Sequence, residues 1–352
     1  MERIEHKTLS VNGLNMHVAE LGQGPIILFL HGFPECWYTW RHQMIYFASH
    51  GYRAVAPDLR GFADTTGSTV SDPAKFTTLH VVGDVVLLIE AVAPPNEKVF
   101  VVGHDWGAII AWSLCMYRPD KVKALVNMSV LFSRRNPIRK PFEMLRGVYG
   151  DDYYICRFQV VRATFTWRDL IDLIVPLSNL TNSGEVPGEI EHEFAHIGCK
   201  TVLKHFLTYR NPGPLHLPKV KPFPDTPITL PSWLSEQDVD YYATKYEATG
   251  FTGALNYYRA LDINWELTAA WTGCQIKVPV KFMVGDVDLT YNAPGTKEYI
   301  EKGGFKKDVP LLKEIVVMEG VGHFIHQEKP AEVNAHIHSF FKNFVSSSCS
   351  AL

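Results

Sequence analysis

Short apolar runs alternate with longer amphipathic ones through the first third of the chain. Ile26-Ile27-Leu28-Phe29-Leu30 is uninterrupted by polar residues and predicts a buried strand. Tyr52 to Ala56 predicts another, closed by Pro57-Asp58, and Val99 to Val102 and Val122 to Met128 predict two more. Helical spacing lies between them, near Trp40 to Ser49 and from Leu79 to Ala93. Strands that alternate with helices predict a parallel sheet covered on both faces. The rhythm breaks after Asn136-Pro137. From there to about Asn264 the chain is rich in Tyr, Phe and Trp, helical in pattern and punctuated by prolines. The strand rhythm returns at Val278 to Val284, followed by a helix near Gly295 to Lys302, a strand from Glu314 to Met318 and a last helix from about Ala331 to Phe344. The expected fold class is therefore α/β, with a mostly parallel sheet in two parts (1–136 and 265–352) and an inserted, mainly helical lid (137–264).

Composition adds limits rather than chemistry. With 46% hydrophobic residues among 352, the chain can bury a large core, and its net charge of -3 makes no electrostatic case for nucleic acid or an anionic membrane. No run is long enough to span a bilayer, and the first residues carry no apolar stretch suited to a signal peptide. The ending Ser350-Ala351-Leu352 lacks the basic middle residue of a peroxisomal address, so the cytoplasm is the expected compartment. Six scattered cysteines without short paired spacings suggest free thiols and no structural zinc.

The chemistry is concentrated in Gly103-His104-Asp105-Trp106-Gly107, between the strand at Val99 and the helical pattern Ala108-Ile109-Ile110-Ala111-Trp112. Small-x-nucleophile-x-small in that setting is the nucleophile elbow of α/β-hydrolases. Here the nucleophile position holds a carboxylate. A carboxylate that attacks saturated carbon forms an alkyl ester, which water can hydrolyse to regenerate the enzyme. A serine would form an ether, a dead end. The elbow thus points to displacement at carbon.

In this fold the triad runs nucleophile, acid, histidine along the chain. Gly285-Asp286-Val287-Asp288 and Gly322-His323-Phe324 both sit where strands give way to loops, the usual address of functional groups in open α/β sheets. His323 can take a proton from water while a carboxylate orients it. Asp286 and Asp288 both remain open for that role. After the strand at Leu30, His31-Gly32-Phe33-Pro34-Glu35 forms a loop whose Phe33 N–H, with that of Trp106, can bind an oxyanion.

As a set, these motifs resemble the plant-type soluble epoxide hydrolases over nearly the whole chain, together with Tyr257-Tyr258-Arg259. The resemblance implies Asp105 as nucleophile, Asp288 as the acid of Gly-x-x-Asp, His323 as base and a cis peptide before Pro34. It also implies two lid tyrosines that hold and protonate the epoxide oxygen. By Tyr154-Ile155-Cys156-Arg157-Phe158-Gln159 and Asn256-Tyr257-Tyr258-Arg259, these are Tyr154 and Tyr258. A phenol suits the task because it donates to a developing alkoxide yet stays neutral at pH 7. Tyr149, Tyr153 and Tyr257 are read as packing residues, and Glu35 and His104 as residues that order the hydrolytic water or simply pack. No metal or organic cofactor is expected, and the partner is a small-molecule epoxide. Haloalkane dehalogenation, or a catalytically silent small-molecule receptor on the same scaffold, are the alternatives. One departure stands out. An extra stretch of about residues 160–185 separates Arg157-Phe158-Gln159 from Val186-Pro187-Gly188-Glu189, with Trp167, Leu170, Ile171 and Ile174 at helical spacing. It is read as a translated intron or a variant lid loop.

Overall fold

The central apolar runs become neighbouring parallel strands because each is buried on both faces and has no polar side to show to water. In the computed structural model, which describes residues 4–159 and 188–345, β1 (Glu5–Val11), β2 (Leu14–Gly22), β3 (Ile26–Leu30), β4 (Arg53–Pro57), β5 (Val99–His104), β6 (Val122–Met128), β7 (Val280–Gly285) and β8 (Leu312–Met318) form one sheet. Its order is β1-β2-β4-β3-β5-β6-β7-β8. From β4 to β8 every pairing is parallel, while β2 runs antiparallel to both β1 and β4. Every residue of β3 and β5 is buried.

The predicted strands recur within a few residues of their observed bounds. The β1–β2 hairpin was not among them. It turns at Asn12-Gly13, both at positive φ (50° and 79°), which is the backbone of a tight hairpin turn. Two helices are capped by local side-chain chemistry. Thr77 accepts from the His80 N–H at the start of Thr78–Val92, and Ser235 and Asp238 form a reciprocal capping box at the start of Glu236–Thr249.

Between β6 and β7 the described residues form the α-helices Pro141–Tyr149, Tyr154–Phe158, Glu189–Ile197, Cys199–Leu207, Glu236–Thr249, Thr252–Arg259 and Leu261–Leu267, joined by irregular segments. The last of these straddles residue 264. The expected helix around Trp167 and the tail at Ser350 lie outside the described residues. Side chains stitch this helical layer to the sheet domain. Trp37 Nε1–H donates to the Tyr241 hydroxyl at 2.9 Å, Arg41 pairs with Asp238 at 3.0 Å, and Lys245 pairs with Asp64 at 2.6 Å. Tyr257 donates its buried hydroxyl to the Arg60 carbonyl at 2.9 Å, so its phenol is spent on packing. Among the described residues no helix is long and apolar enough to cross a membrane.

Candidate active site

Asp105 sits where β5 ends and the helix Trp106–Tyr117 begins, with φ 52° and ψ -120°. That left-handed backbone is costly for a residue with a Cβ, and it persists because the surroundings dictate it. The Asp105 carbonyl already accepts from the Ala108 and Ile109 N–H groups, so the chain turns into the helix within a single residue. Gly107 permits the turn: any Cβ there would collide with the Leu30 carbonyl oxygen of the adjacent strand. The Phe33 N–H donates to Asp105 Oδ1 at 2.7 Å, from a loop with a cis Phe33–Pro34 peptide. Trp106 opens the helix, so its N–H is one of the terminal donors that no helical carbonyl takes up.

His323 follows β8 and faces a carboxylate on each side. Its Nδ1 lies 3.0 and 3.1 Å from the Asp288 oxygens, and its Nε2 lies 3.5 Å from Asp105 Oδ2. Asp288, not Asp286, is the carboxylate brought to His323. Asp286 Oδ1 is buried without a hydrogen-bond partner among the described residues. Burial alone would lower the pKa of His323, but the charges of Asp288 and Asp105 and its bonds to them outweigh burial and hold it well above the ordinary histidine value. Burial alone would raise Asp288. The facing imidazole and the Thr290 N–H and hydroxyl reverse that and keep it below the usual carboxylate range.

The helical layer brings two phenols over the same point. Tyr154 opens the helix Tyr154–Phe158, and Tyr258 lies near the end of Thr252–Arg259; their ring centroids are 5.9 Å apart. Phe33, Asp105, Tyr154, Tyr258, Leu289 and His323 all touch one small pocket of about 40 Å³. That is room for a reacting group and little more. A cavity of about 310 Å³ continues from Asp105, Tyr154 and Tyr258 past Tyr149, Tyr153 and Leu145. Tyr149 and Tyr153, read above as packing, stack at 4.3 Å and line this cavity. Burial, and then the charge of Asp105, push the Tyr258 phenol well above its ordinary pKa; burial does the same for Tyr154, with smaller contributions from Tyr153, Tyr258 and Asp105. Both therefore stay protonated donors. Gln159 Nε2 donates to the Tyr258 carbonyl at 2.6 Å, and Arg259 pairs through both nitrogens with Glu191 at 2.7 and 2.9 Å while donating to the Phe158 carbonyl. Sequence reasoning passed over these three supports. The second large cavity, about 320 Å³ and lined by Trp112, Tyr117 and Trp265, holds none of Asp105, Asp288 and His323.

Glu35 and His104 form a fully buried pair, His104 Nδ1 to Glu35 Oε2 at 3.0 Å, behind the His323 backbone. The other ring nitrogen, Nε2, donates to the His323 carbonyl at 2.8 Å. Both His104 nitrogens thus face acceptors. Burial would raise Glu35, but His326 and His104 hold it well below the carboxylate range. Glu35, His104 and His326 also have the spacing of a metal-ligand group. Their polar atoms already have protein partners: Glu35 Oε1 accepts from the Thr39 hydroxyl and from Gln327 Nε2, His326 Nε2 meets the same hydroxyl, and His104 Nε2 donates to the His323 carbonyl.

Residues 25–154 match the family model of the alpha/beta hydrolase fold. The chain is 53% identical to epoxide hydrolase 3 of Siraitia grosvenorii, over 98% of this chain and the whole of that protein. It is 34% identical to an epoxide hydrolase of Caballeronia sordidicola, over 96% of this chain and 94% of that one. The solved structure of potato (Solanum tuberosum) epoxide hydrolase I superimposes with a TM-score of 0.87 at 61% identity, covering 97% of this chain and 99% of that one. With a carboxylate on the elbow, an acid and a histidine behind it and full-length similarity of this kind, the chain belongs to the epoxide hydrolases of the α/β-hydrolase fold.

Proposed function

We propose that this epoxide hydrolase opens its substrate through an ester on Asp105. The observation that supports it best is the placing of one strained carboxylate between the Phe33 N–H at 2.7 Å and His323 Nε2 at 3.5 Å, under two protonated phenols. In this reading Asp105 attacks an epoxide carbon from behind the breaking C–O bond. Tyr154 and Tyr258 donate to the oxygen as negative charge develops, and one of them delivers the proton that makes it a hydroxyl. Ester formation removes the Asp105 charge that helps keep His323 protonated. His323 then gives up its proton to solvent, from which the phenolate left by ring opening is reprotonated, and as a neutral base oriented by Asp288 it draws a proton from the water that attacks the ester carbonyl. The Phe33 and Trp106 N–H groups bind the tetrahedral oxyanion; its collapse breaks the bond to the substrate oxygen, the second water proton passes to that oxygen to complete the vicinal diol, and Asp105 returns as a carboxylate with His323 protonated. Glu35 and His104 order that water. Sheet residues 1–136 and 265–352 carry the nucleophile, acid and base, and the lid at 137–264 carries the phenols. The cytoplasm is the compartment proposed, in keeping with free thiols at Cys36, Cys115, Cys156, Cys199 and Cys274.

The test is turnover of a panel of aryl and fatty-acid epoxides by purified protein and by Asp105→Ala. Diol formation by the wild type and none by the variant is expected. Appreciable diol from Asp105→Ala would remove the ester mechanism.

A further inference from the structure

Outside the residues already assigned, one pair of hydroxyls connects the loop of the acid to the loop of the base. Ser129 lies just past the end of β6, at a positive φ of 67°. Its hydroxyl donates to the His323 carbonyl at 2.9 Å, and its own carbonyl accepts from the Thr290 hydroxyl at 2.7 Å. Ser129 is pinned in turn by its N–H, which donates to the Met283 carbonyl at 2.9 Å in β7. Thr290 reaches the other way as well. Its N–H donates to Asp288 Oδ1 at 2.8 Å, and its hydroxyl lies 2.9 Å from that same oxygen.

Counting protons makes the pair more than a brace. The Thr290 hydroxyl has one hydrogen and two acceptors within reach, the Ser129 carbonyl and the Asp288 carboxylate. Given to Asp288, it stabilises the carboxylate and weakens it as a partner of the His323 imidazolium. Given to Ser129, it tightens the link to the His323 backbone and leaves Asp288 with the Thr290 N–H and the imidazole. Hydrogen bonds to a buried charged group are the strong ones, so this choice has leverage on the dyad.

We propose that Ser129 and Thr290 are positioning residues that hold acid and base in register and, through the single Thr290 proton, set the basicity of His323 in the ester-hydrolysis step. The proposal rests on the assignment of Asp288 and His323 given above. The charged and titratable groups facing the imidazole are Asp288 and Asp105 at its nitrogens, with the His104 ring at 4.7 Å and Glu35 and His326 behind it. None of these is altered by changing Thr290 or Ser129.

The experiment is a stopped-flow transient on an aryl epoxide, resolving ester formation from ester hydrolysis across pH, for wild type, Thr290→Val, Thr290→Ser and Ser129→Ala. Valine keeps the shape and the backbone N–H but removes the hydroxyl. Thr290→Val is expected to slow ester hydrolysis on the order of tenfold. The acid limb of that step should move to higher pH, because an Asp288 with one donor fewer holds the proton on His323 more firmly. Ester formation should change by less than about twofold. Thr290→Ser should restore both rate and limb, and Ser129→Ala should slow hydrolysis with native thermal unfolding. An unmoved acid limb in Thr290→Val, equal slowing of both steps, or no rescue by serine would overturn the bridge. Should Thr290→Val fail to fold, Ser129→Ala and Thr290→Ser decide alone: wild-type hydrolysis in Ser129→Ala would overturn the proposal. A wild-type transient with no ester phase would instead bring down the triad reading, and the bridge with it.

Discussion

The two halves of the candidate site are held by different physics. On the sheet side, Asp105, Asp288 and His323 each follow a parallel strand, β5, β7 and β8, the first two of them fully buried; backbone donors fix the two aspartates, and the aspartates hold His323 between them. On the lid side, Tyr154 and Tyr258 ride on helices of 5 and 8 residues. Such helices are too short to be stable alone. What fixes them is side-chain work: the Arg259–Glu191 pair, Gln159 on the Tyr258 carbonyl, and aromatic packing of Tyr258 against Phe33, Trp106 and Phe158. The sheet half is a consequence of the fold, whereas the lid half depends on a few buried polar contacts. In the proposed mechanism ring opening draws on both halves, and ester hydrolysis on the sheet half alone.

The largest effect should come from breaking the sheet half. His323→Gln removes the base but leaves Asp105 and the phenols, so turnover should fall by at least about a thousandfold while the protein gains the mass of one substrate. Unmodified protein under conditions where the wild type turns over would contradict that division of labour. Next in size are the phenols. Tyr154→Phe and Tyr258→Phe should each slow ester formation by roughly 10²-fold, with ester hydrolysis unchanged. Because both donate to one oxygen, the double variant should lose less than the product of the two. Equal loss in both steps would separate the phenols from the leaving oxygen.

Smaller still is the effect of loosening the lid from a distance. The carboxylate of Glu191 and the guanidinium of Arg259 are both nearly inaccessible, at 6% and 5% exposure. Glu191→Ala strands a buried charge and should cost about 3 kcal/mol in denaturant unfolding. It should also slow ester formation several-fold more than ester hydrolysis; an unchanged ratio of the two rates would show that the clamp does not reach the tyrosines. The smallest effect sharpens the sheet side. Asp105 helps hold the proton on His323, so Asp105→Asn should lower the His323 pKa toward the value it has when the ester is formed. An NMR titration of the imidazole that moved upward, or not at all, would sever the proposed link between ester formation and base activation.

The same contrast explains what could be read in advance. Asp105 and His323 were legible because strand ends announce themselves: an apolar run, then small residues around one chemical group. Asp286 and Asp288 sit two apart in one loop, and only the turn beyond β7 decides which carboxylate meets His323. Tyr154 and Tyr258 could be drawn from the lid's tyrosines only by resemblance, since Tyr149 and Tyr153 line the same cavity. The β1–β2 hairpin escaped because its outer strand is largely exposed and only weakly apolar, with the burial pattern of an edge strand. Asn12-Gly13 was the available sign of it. Ser129 and Thr290 lie 161 residues apart and meet only when β6 and β7 pair, so nothing local marks them.

The central claim, that Asp105 is a nucleophile and not a general base, is tested most directly by following oxygen. In a single turnover in 18O-water with enzyme in excess, an ester route puts unlabelled carboxylate oxygen into the first diol and water oxygen into Asp105. The first diol should carry little label, and the peptide containing Asp105 should carry it. A fully labelled first diol with an unlabelled Asp105 would mean that water attacked the epoxide directly, and would contradict the account even if every variant above were inactive.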